Sequence, residues 1–270
     1  MGANIDEIAA SFDTRAARYA SGSWHVLCAE RLVALCRLPV GSRVLDAATG
    51  TGFAALAAAR AVGDEGHVLG VDISSGMLRQ ARSAVADSGL TNVEMIQADA
   101  SCLPQCGSET FDAITCAAGL LYMSAADALR EWHRLLRPGG IVAFSTMHAG
   151  SPPGGRIFRE CAATFGISLR DPCAPLGSVA ASARALTSAG FAVVEIVDEF
   201  IELSAQDHAL AWESNFGSIA HADVRALDED RQQALHDMYV NALESKERED
   251  PGALSEAAIL YAIGRKAGNV

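Results

Sequence analysis

The sequence predicts an α/β fold built around a parallel β-sheet. Between residues 42 and 148, short segments rich in Val, Ile and Leu alternate with longer segments of helical pattern. Such alternation is typical of βαβ units, whose strands are covered on both faces and therefore carry few polar residues. A glycine-rich turn directly after the first strand, at 46–52, predicts that the sheet binds a small ligand.

Two helices are predicted before the sheet, at 6–19 and 24–38, because apolar residues recur there at helical spacing; Pro39 ends the second. Strands and connecting helices follow. The strands are predicted at 43–47, 68–73, 93–98, 111–116 and 141–147, and the helices at 53–62, 76–88 and 125–136. Gly63 and Gly89 suit the ends of the first two connecting helices, and Ser124 suits the start of the third.

The chain changes character after His148. Residues 151–155 hold two prolines and two glycines, which predicts a break in regular structure. Further elements are predicted beyond the break: helices at 157–165 and 179–189, a strand at 191–200, an acidic helical stretch at 205–250 and a last strand at 257–264.

Composition narrows the range of partners. Half of the 270 residues are hydrophobic, enough for a sizeable core, and the formal net charge is −12. This charge argues against nucleic acid and anionic membrane surfaces, because both are bound through clusters of Lys and Arg. No run of residues predicts a membrane span or a secretory signal, and the seven cysteines lack zinc-site spacing. We therefore expect a cytoplasmic protein without a bound metal, and the sequence leaves open whether it forms a homo-oligomer.

Three carboxylates mark the predicted ligand pocket. Asp46, Asp72 and Asp99 each end or follow a predicted strand, and ligands of open α/β sheets bind outside the carboxyl ends of the strands. Asp72 lies twenty residues after Gly52, where a carboxylate can accept hydrogen bonds from both hydroxyls of a ribose. Asp99 is placed to accept from an exocyclic amine. The turn with Gly50 and Gly52 would bring bare backbone against the ligand.

Two ligands fit this pattern, a nicotinamide dinucleotide and S-adenosylmethionine. Residues 50–55 match the G-x-G-x-x-G/A fingerprint of dinucleotide-binding turns. Asp46 separates the two ligands, because a carboxylate at the base of the turn repels a pyrophosphate and attracts the ammonium of a methionine tail. The sequence therefore favours S-adenosylmethionine as the cofactor.

Five motifs occur in the order and spacing of class I S-adenosylmethionine-dependent methyltransferases: DAATGTG at 46–52, GVDIS at 70–74, ADA at 98–100, FD at 111–112 and LLRPGG at 135–140. The chain resembles this family over roughly residues 40–148, and it looks most like the ubiquinone/menaquinone-biosynthesis type. The resemblance implies a Rossmann-like, doubly wound, seven-stranded sheet, mostly parallel, whose last strand is antiparallel. It also implies one domain over 1–270, with a helical lid at 1–40, a cofactor-binding core at 41–148, and the rest of the sheet at 149–270. A helical insertion at 205–250 would cover the acceptor together with the N-terminal lid.

The resemblance also implies the contacts of the cofactor. It places the turn at 46–52 on the methionine moiety, Asp72 on the ribose and Asp99 on the adenine edge. Ala48 stands where the family's common pattern has glycine, a small change in size. The full set of expected cofactor contacts is Tyr19, Asp46, Ala48, Gly50, Gly52, Asp72, Ile73, Met77, Asp99, Ala100 and Ala117.

The expected reaction is an in-line displacement at the sulfonium methyl, in which the cofactor supplies the reactivity and the protein supplies orientation. His148, just past the fifth strand, is the first candidate for a base that deprotonates the acceptor. Tyr122, just past the fourth strand, is the second candidate for a direct role. The predicted lid adds His208, Trp212, Glu213, Asn215 and His221 as candidate substrate contacts. Residues expected outside the chemistry are His133 at the surface, Cys116 and Cys161 as buried filler, and Asp112 as a structural carboxylate.

These observations predict methyl transfer to a small organic molecule, at an oxygen, nitrogen or carbon atom. Natural-product tailoring is the first guess, by analogy only, and quinone-type C-methylation is the second. Three rivals stay open: cyclisation or rearrangement on the same fold, a nicotinamide-dependent oxidoreductase, and a non-catalytic ligand-binding module.

Overall fold

The centre of the molecule is a seven-stranded sheet. The computed structural model of the protein describes residues 4–19 and 24–268. The strands are β1 (Arg43–Ala47), β2 (His67–Asp72), β3 (Val93–Gln97), β4 (Phe111–Cys116), β5 (Leu136–Met147), β6 (Phe191–Glu202) and β7 (Glu256–Lys266). Their order across the sheet is β3-β2-β1-β4-β5-β7-β6. The order reverses between β1 and β4, and this is where ligands of such sheets bind.

In this sheet, β7 points in the direction opposite to the other six strands. The pairs β1–β2, β1–β4, β2–β3 and β4–β5 are parallel, whereas β7 is antiparallel to both β5 and β6. This topology confirms the predicted fold class, including the antiparallel last strand.

Helices cover both faces of the sheet. They are α1 (Ile5–Tyr19), α2 (Trp24–Cys36), α3 (Phe53–Val62), α4 (Ser75–Ser88), α5 (Ala125–Leu135), α6 (Pro153–Thr164), α7 (Val179–Ser188), α8 (Ala205–Ala209), α9 (Ala211–Phe216) and α10 (Glu229–Glu249), with 3₁₀ segments at Leu120–Tyr122 and Ile219–Ala226. The expected caps are present, since Ser124 accepts a hydrogen bond from the Asp127 N–H, and Gly63 and Gly89 end α3 and α4 at positive φ.

Two hydrophobic cores lie on opposite faces of the sheet. One is built from α2, α3 and α4, and the other from α5 and α7. Consecutive residues of β1 divide between them, because Val44 packs into the first core and Leu45 into the second. A third cluster joins α6, α9 and α10 above the carboxyl ends of the strands.

The structure corrects three of the predicted boundaries. Helix α6 begins at Pro153, inside the predicted break, because proline is well tolerated in the first turn of a helix. Strand β5 begins at Leu136, five residues earlier than predicted. The acidic stretch at 205–250 is four separate helical segments, divided at Leu210, at 217–218 and at 227–228.

Within the described ranges 4–19 and 24–268, no helix combines the length and the apolar character needed to cross a membrane.

Candidate active site

The turn after β1 has a backbone that favours glycine. Gly50 and Gly52 adopt φ values of +56° and +92°, a region that residues with a Cβ rarely enter. A Cβ on Gly52 would lie 3.3 Å from the Cβ of Ala81 on α4. Ala48 adopts φ +53° despite its side chain. The turn therefore packs closely against α4 and presents backbone to the space above it.

Asp46 lies beneath this turn, at the end of β1. It is 1% exposed, and its two carboxylate oxygens accept hydrogen bonds from the hydroxyls of Thr49 at 2.6 Å and Thr115 at 2.8 Å. Burial raises the pKa of Asp46 to about 6, and the two hydroxyls act against this shift. Both oxygens therefore brace the turn from inside, and since an ionised carboxylate has about four acceptor positions, two remain on Asp46, which also lines a side pocket of the site. The contact of Asp46 with the methionine moiety stays a prediction.

Asp72, at the end of β2, connects the turn to the next loop. Its oxygens accept from the backbone N–H of Gly50 and of Ser74, each at 2.8 Å. Burial raises its pKa, and the backbone amides oppose that rise. An ionised carboxylate has about four acceptor positions, so two remain for the hydroxyls of a ribose. The geometry agrees with the predicted role.

Asp99 is held by one oxygen only. Its Oδ1 accepts from the backbone N–H of Ser101 at 2.8 Å and from the Ser101 hydroxyl at 2.7 Å. Its Oδ2 takes no hydrogen bond from the part of the chain that the structure describes. This oxygen is therefore available to an amine donor.

Asp13, on α1, is a site residue that the sequence reasoning missed. Its Oδ1 accepts from the Ser74 hydroxyl and from the Gly76 backbone N–H, both at 2.6 Å, which fastens α1 to the loop after Asp72. The Ser74 hydrogen bond, followed by that of Gly76, lowers the pKa of Asp13. No local pattern indicates this role, because the partners lie 61 and 63 residues away in sequence.

Two cavities meet above these residues. The first, here called the cofactor cavity, has a volume of about 520 Å³. It gathers nine of the eleven expected cofactor contacts: Tyr19, Ala48, Gly50, Asp72, Ile73, Met77, Asp99, Ala100 and Ala117. Of the other two, Asp46 lines a side pocket of about 30 Å³ with Tyr19 and Gly50, and Gly52, at the end of the turn, packs against Ala81 of α4.

The second, here called the acceptor cavity, has a volume of about 760 Å³ and lies beneath α8, α9, α10 and the 3₁₀ segment Ile219–Ala226. Tyr19, Ala118, Leu121 and Tyr122 line both cavities, so these residues form the junction. Burial raises the pKa of Tyr122, and the positive charge of Arg15, together with a hydrogen bond from its side chain, acts in the opposite direction. Tyr122 is therefore a protonated phenol at the junction, where the acceptor atom would meet the cofactor.

His148 lies apart from both cavities. Its backbone N–H donates to the Ala258 carbonyl on β7, and its Nε2 lies 2.8 Å from Asp198 Oδ1 on β6. The first candidate base therefore faces the sheet edge, because its side chain extends across β7 toward β6 and away from the junction.

The predicted lid contacts divide into two groups. Trp212 belongs to the lid's own core, with its ring 5.6 Å from Phe158 and 5.1 Å from Phe216. Candidates that do line the acceptor cavity are His208, Glu213, Asn215 and His221. Residues expected outside the chemistry line neither cavity: His133, Cys116, Cys161 and Asp112.

His221 stands out among the lid candidates. It is 3% exposed, and its ring stacks on Phe158 with centroids 5.2 Å apart. Its Nδ1 lies 3.0 Å from the Asn215 carbonyl oxygen, and since a carbonyl only accepts, Nδ1 carries the hydrogen. Burial lowers the pKa of His221, so the ring is neutral near pH 7. Its Nε2 then holds a lone pair, and it has no hydrogen-bond partner among the described residues.

His25, on α2, is a third histidine of the acceptor cavity, and the sequence does not predict it. Its ring lies between Trp24, at 3.7 Å, and Tyr19, at 4.3 Å between centroids. Burial lowers its pKa to about 3, so this imidazole is uncharged at neutral pH.

Comparison with known proteins identifies the family. The family described as "Methyltransferase domain" matches residues 44–140. The demethylmenaquinone methyltransferase of Listeria monocytogenes is 33% identical over 168 residues, which cover 60% of this chain and 70% of that enzyme. The protein is a class I S-adenosylmethionine-dependent methyltransferase.

A second relative of this methyltransferase has higher identity over a shorter region. The ubiquinone/menaquinone biosynthesis C-methyltransferase UbiE of Teredinibacter turnerae is 41% identical over 143 residues. The match covers 50% of this chain and 57% of that enzyme, so the chain spans less than two thirds of it.

Among solved structures, the [4+2]-cyclase SpnF superposes on the methyltransferase with a TM-score of 0.54 and 24% identity, over 89% of this chain and 81% of that one. At this identity the likeness concerns the fold alone.

S-adenosylmethionine is the cofactor of this methyltransferase, and the cofactor cavity has donors and acceptors that fit it. Asp72 and Asp99 offer free acceptor positions for a ribose and an amine. Thr51 Oγ1 is buried, lacks a partner among the described residues, and belongs to the side pocket beside Tyr19 and Gly50. This hydroxyl can donate to the carboxylate of the methionine tail. The residues described contain no group of three or more His, Cys, Asp or Glu side chains that could hold a metal ion.

Proposed function

We propose that the protein transfers the methyl group of S-adenosylmethionine to a small organic molecule bound in the acceptor cavity. The observation that supports this most is the junction at Tyr19 and Tyr122, where the acceptor cavity opens into the cofactor cavity. A pocket of several hundred Å³ with a few convergent polar groups is typical of a small-molecule site.

The residues of the chain act by orienting the two reactants. When bound, the cofactor supplies an electrophilic sulfonium methyl group. Asp72 and Asp99 would fix the nucleoside, and Tyr122 would hydrogen-bond the acceptor atom at the junction. The helices that cover the acceptor cavity would limit the access of water to it. Orientation of this kind can contribute about 7–11 kcal/mol to lowering the barrier.

His221 replaces His148 as the proposed base. It lines the acceptor cavity, and its unpartnered Nε2 can take a proton from the acceptor as the methyl group arrives. A positioned base contributes about 10²–10⁴-fold in rate when the acceptor must lose a proton. The half-buried His148 is paired with Asp198 instead.

Two acceptor classes follow from different observations. Natural-product tailoring agrees with a broad, partly polar cavity under a lid formed by the 205–250 insertion. Quinone-type C-methylation is supported by the names of the two relatives, which are quinone-biosynthesis methyltransferases. The broader proposal, methyl transfer to a small molecule, includes both.

The test uses S-adenosylmethionine with a trideuterated methyl group, incubated with the purified protein and fractionated small-molecule extracts or demethylated quinones. We expect a product heavier by one labelled methyl group, together with an equal amount of S-adenosylhomocysteine. Turnover of a compound without S-adenosylhomocysteine would instead indicate cyclisation or rearrangement. Absence of both S-adenosylmethionine binding and S-adenosylhomocysteine formation would contradict the proposal.

A further inference from the structure

One cation that lines the acceptor cavity has an unused hydrogen-bond donor among the described residues. Arg15 extends from α1 into the lining of this cavity. Its Nε donates to the Ser11 carbonyl at 3.2 Å, and its guanidinium carbon lies 4.6 Å from the ring centroid of Phe12. Its Nη2 is buried and has no hydrogen-bond partner among the described residues. An unpaired buried N–H on a charged group is costly, so Arg15 is suited to a partner from outside the chain.

The acids that line the cavity leave the Nη2 of Arg15 without a partner. Glu213 and Glu244 are exposed. Asp171 pairs with Arg159, and Asp207 and Glu247 accept hydrogen bonds from Ser204 and Gly252. Among the described residues, the Nη2 of Arg15 therefore keeps an unused donor.

The junction tyrosines carry no negative charge that could pair with Arg15. Burial raises the pKa of both Tyr19 and Tyr122, so their phenols stay protonated at neutral pH. S-adenosylmethionine would bring a second positive charge, its sulfonium, to the same junction. Two cations in a water-poor site repel each other, and an anion between them would lower the energy of both.

We propose that the acceptor molecule carries an anionic oxygen, as in a carboxylate, phenolate or enolate, and that Arg15 binds it through Nη2. This inference rests on the proposed methyl transfer, because it concerns the acceptor bound in the same cavity. It makes Arg15 the residue that selects acidic acceptors over neutral ones.

The position of Arg15 also relates this anion to the proposed base. The Cδ of Arg15 lies 3.7 Å from where a Cβ on Gly217 would stand, and the backbone N–H of His221 donates to the Ser218 carbonyl. Arg15 and His221 are thus held against the same turn of the lid. An acceptor that binds Arg15 through its anionic oxygen is brought to the side of the cavity where His221 stands.

The test compares matched acids and amides. The protein, saturated with S-adenosylhomocysteine, is titrated by NMR with 4-hydroxybenzoate and 4-hydroxybenzamide, and with 2-naphthoate and 2-naphthamide. We expect the acid of each pair to bind at least about tenfold more tightly than the amide, as for a hydrogen bond to a charged group. In Arg15→Gln this preference should fall to about threefold or less. In the control Arg60→Gln, which changes an exposed residue of α3 outside both cavities, the preference should persist.

The readouts keep this inference separate from the proposed function. The melting temperature and the affinity for S-adenosylhomocysteine show whether each variant is folded. Equal binding of acids and amides to the wild-type protein, no binding of the acids, or a preference that survives in Arg15→Gln would overturn the inference. Such a result would leave methyl transfer intact, because that is judged by cofactor binding and S-adenosylhomocysteine formation.

Discussion

Replacement of Asp72 by asparagine tests the cofactor site most directly. The carboxylate of Asp72 accepts from the backbone N–H groups of Gly50 and Ser74, and its remaining acceptor positions are assigned to the ribose hydroxyls. An asparagine keeps one carbonyl oxygen and replaces the other oxygen with an NH₂ group that only donates. One backbone N–H and one ribose hydroxyl therefore lose their acceptor, and the charge of the site is lost as well.

The magnitude follows from these contacts. A hydrogen bond to a charged group contributes about 1.5–3 kcal/mol, so Asp72→Asn should weaken S-adenosylhomocysteine binding by about 2–4 kcal/mol, or roughly 30- to 1,000-fold. The unpaired backbone N–H should also lower the free energy of unfolding by about 1–3 kcal/mol.

Isothermal titration calorimetry gives the affinity, and urea denaturation gives the stability. Asp64→Asn is the matched control, because Asp64 is an exposed carboxylate outside both cavities. An affinity of Asp72→Asn within about threefold of the wild-type value would refute the ribose assignment, since the expected loss is at least tenfold larger.

Three further predictions concern the base, the turn and the pH dependence of stability. In steady-state assays with an identified acceptor, His221→Gln should lower turnover by about 10²–10⁴-fold and leave the affinity for S-adenosylhomocysteine unchanged. His148→Gln should leave turnover near the wild-type value. The opposite result for the two variants would restore His148 as the base. Ala48→Gly should raise the free energy of unfolding by about 0.5–1 kcal/mol in urea denaturation, because relief of the left-handed backbone exceeds the added entropy of the unfolded chain, and a loss of stability would contradict this. The pKa of His25 is about 3 in the folded protein, so below pH 6.5 the unfolded chain binds more protons at this residue and stability falls with decreasing pH, by at most about 1.4 kcal/mol per pH unit. Thermal melts of His25→Phe between pH 4 and 7 should show a shallower fall than the wild-type protein, and parallel curves would count against the burial of an uncharged His25.

The sequence predicts the cofactor half of the molecule well, because its determinants are local. The turn at 46–52 and the carboxylates Asp72 and Asp99 stand next to strand ends in the chain itself, so strand periodicity is enough to place them. The glycines support the prediction as well, because a φ value such as +92° at Gly52 favours glycine over other residues and is therefore visible in the sequence.

The acceptor half was less predictable, because its contacts come from distant parts of the chain. The place of His148 after β5 predicts a role in the site. The order β5-β7-β6, however, brings Asp198 on β6 within reach of its imidazole, which therefore lies toward the sheet edge. Arg15 and Asp13 lie on an amphipathic helix whose partners are at 217 and 74–76, and no local pattern links such positions. The two threonines that donate to the oxygens of Asp46 were equally hidden, because neither the charge of Asp46 nor its place after β1 indicates them.

The attachment of α1 by Asp13 has a consequence for both sides of the site. The same helix carries Asp13, fastened to the ribose-side loop, and Arg15, which faces the acceptor. Because these two residues stand two positions apart on one helix, we expect a shift of α1 to move the carboxylate of Asp13 and the guanidinium of Arg15 together. The placement of one short piece of helix would then affect both the nucleoside side and the acceptor side of the site.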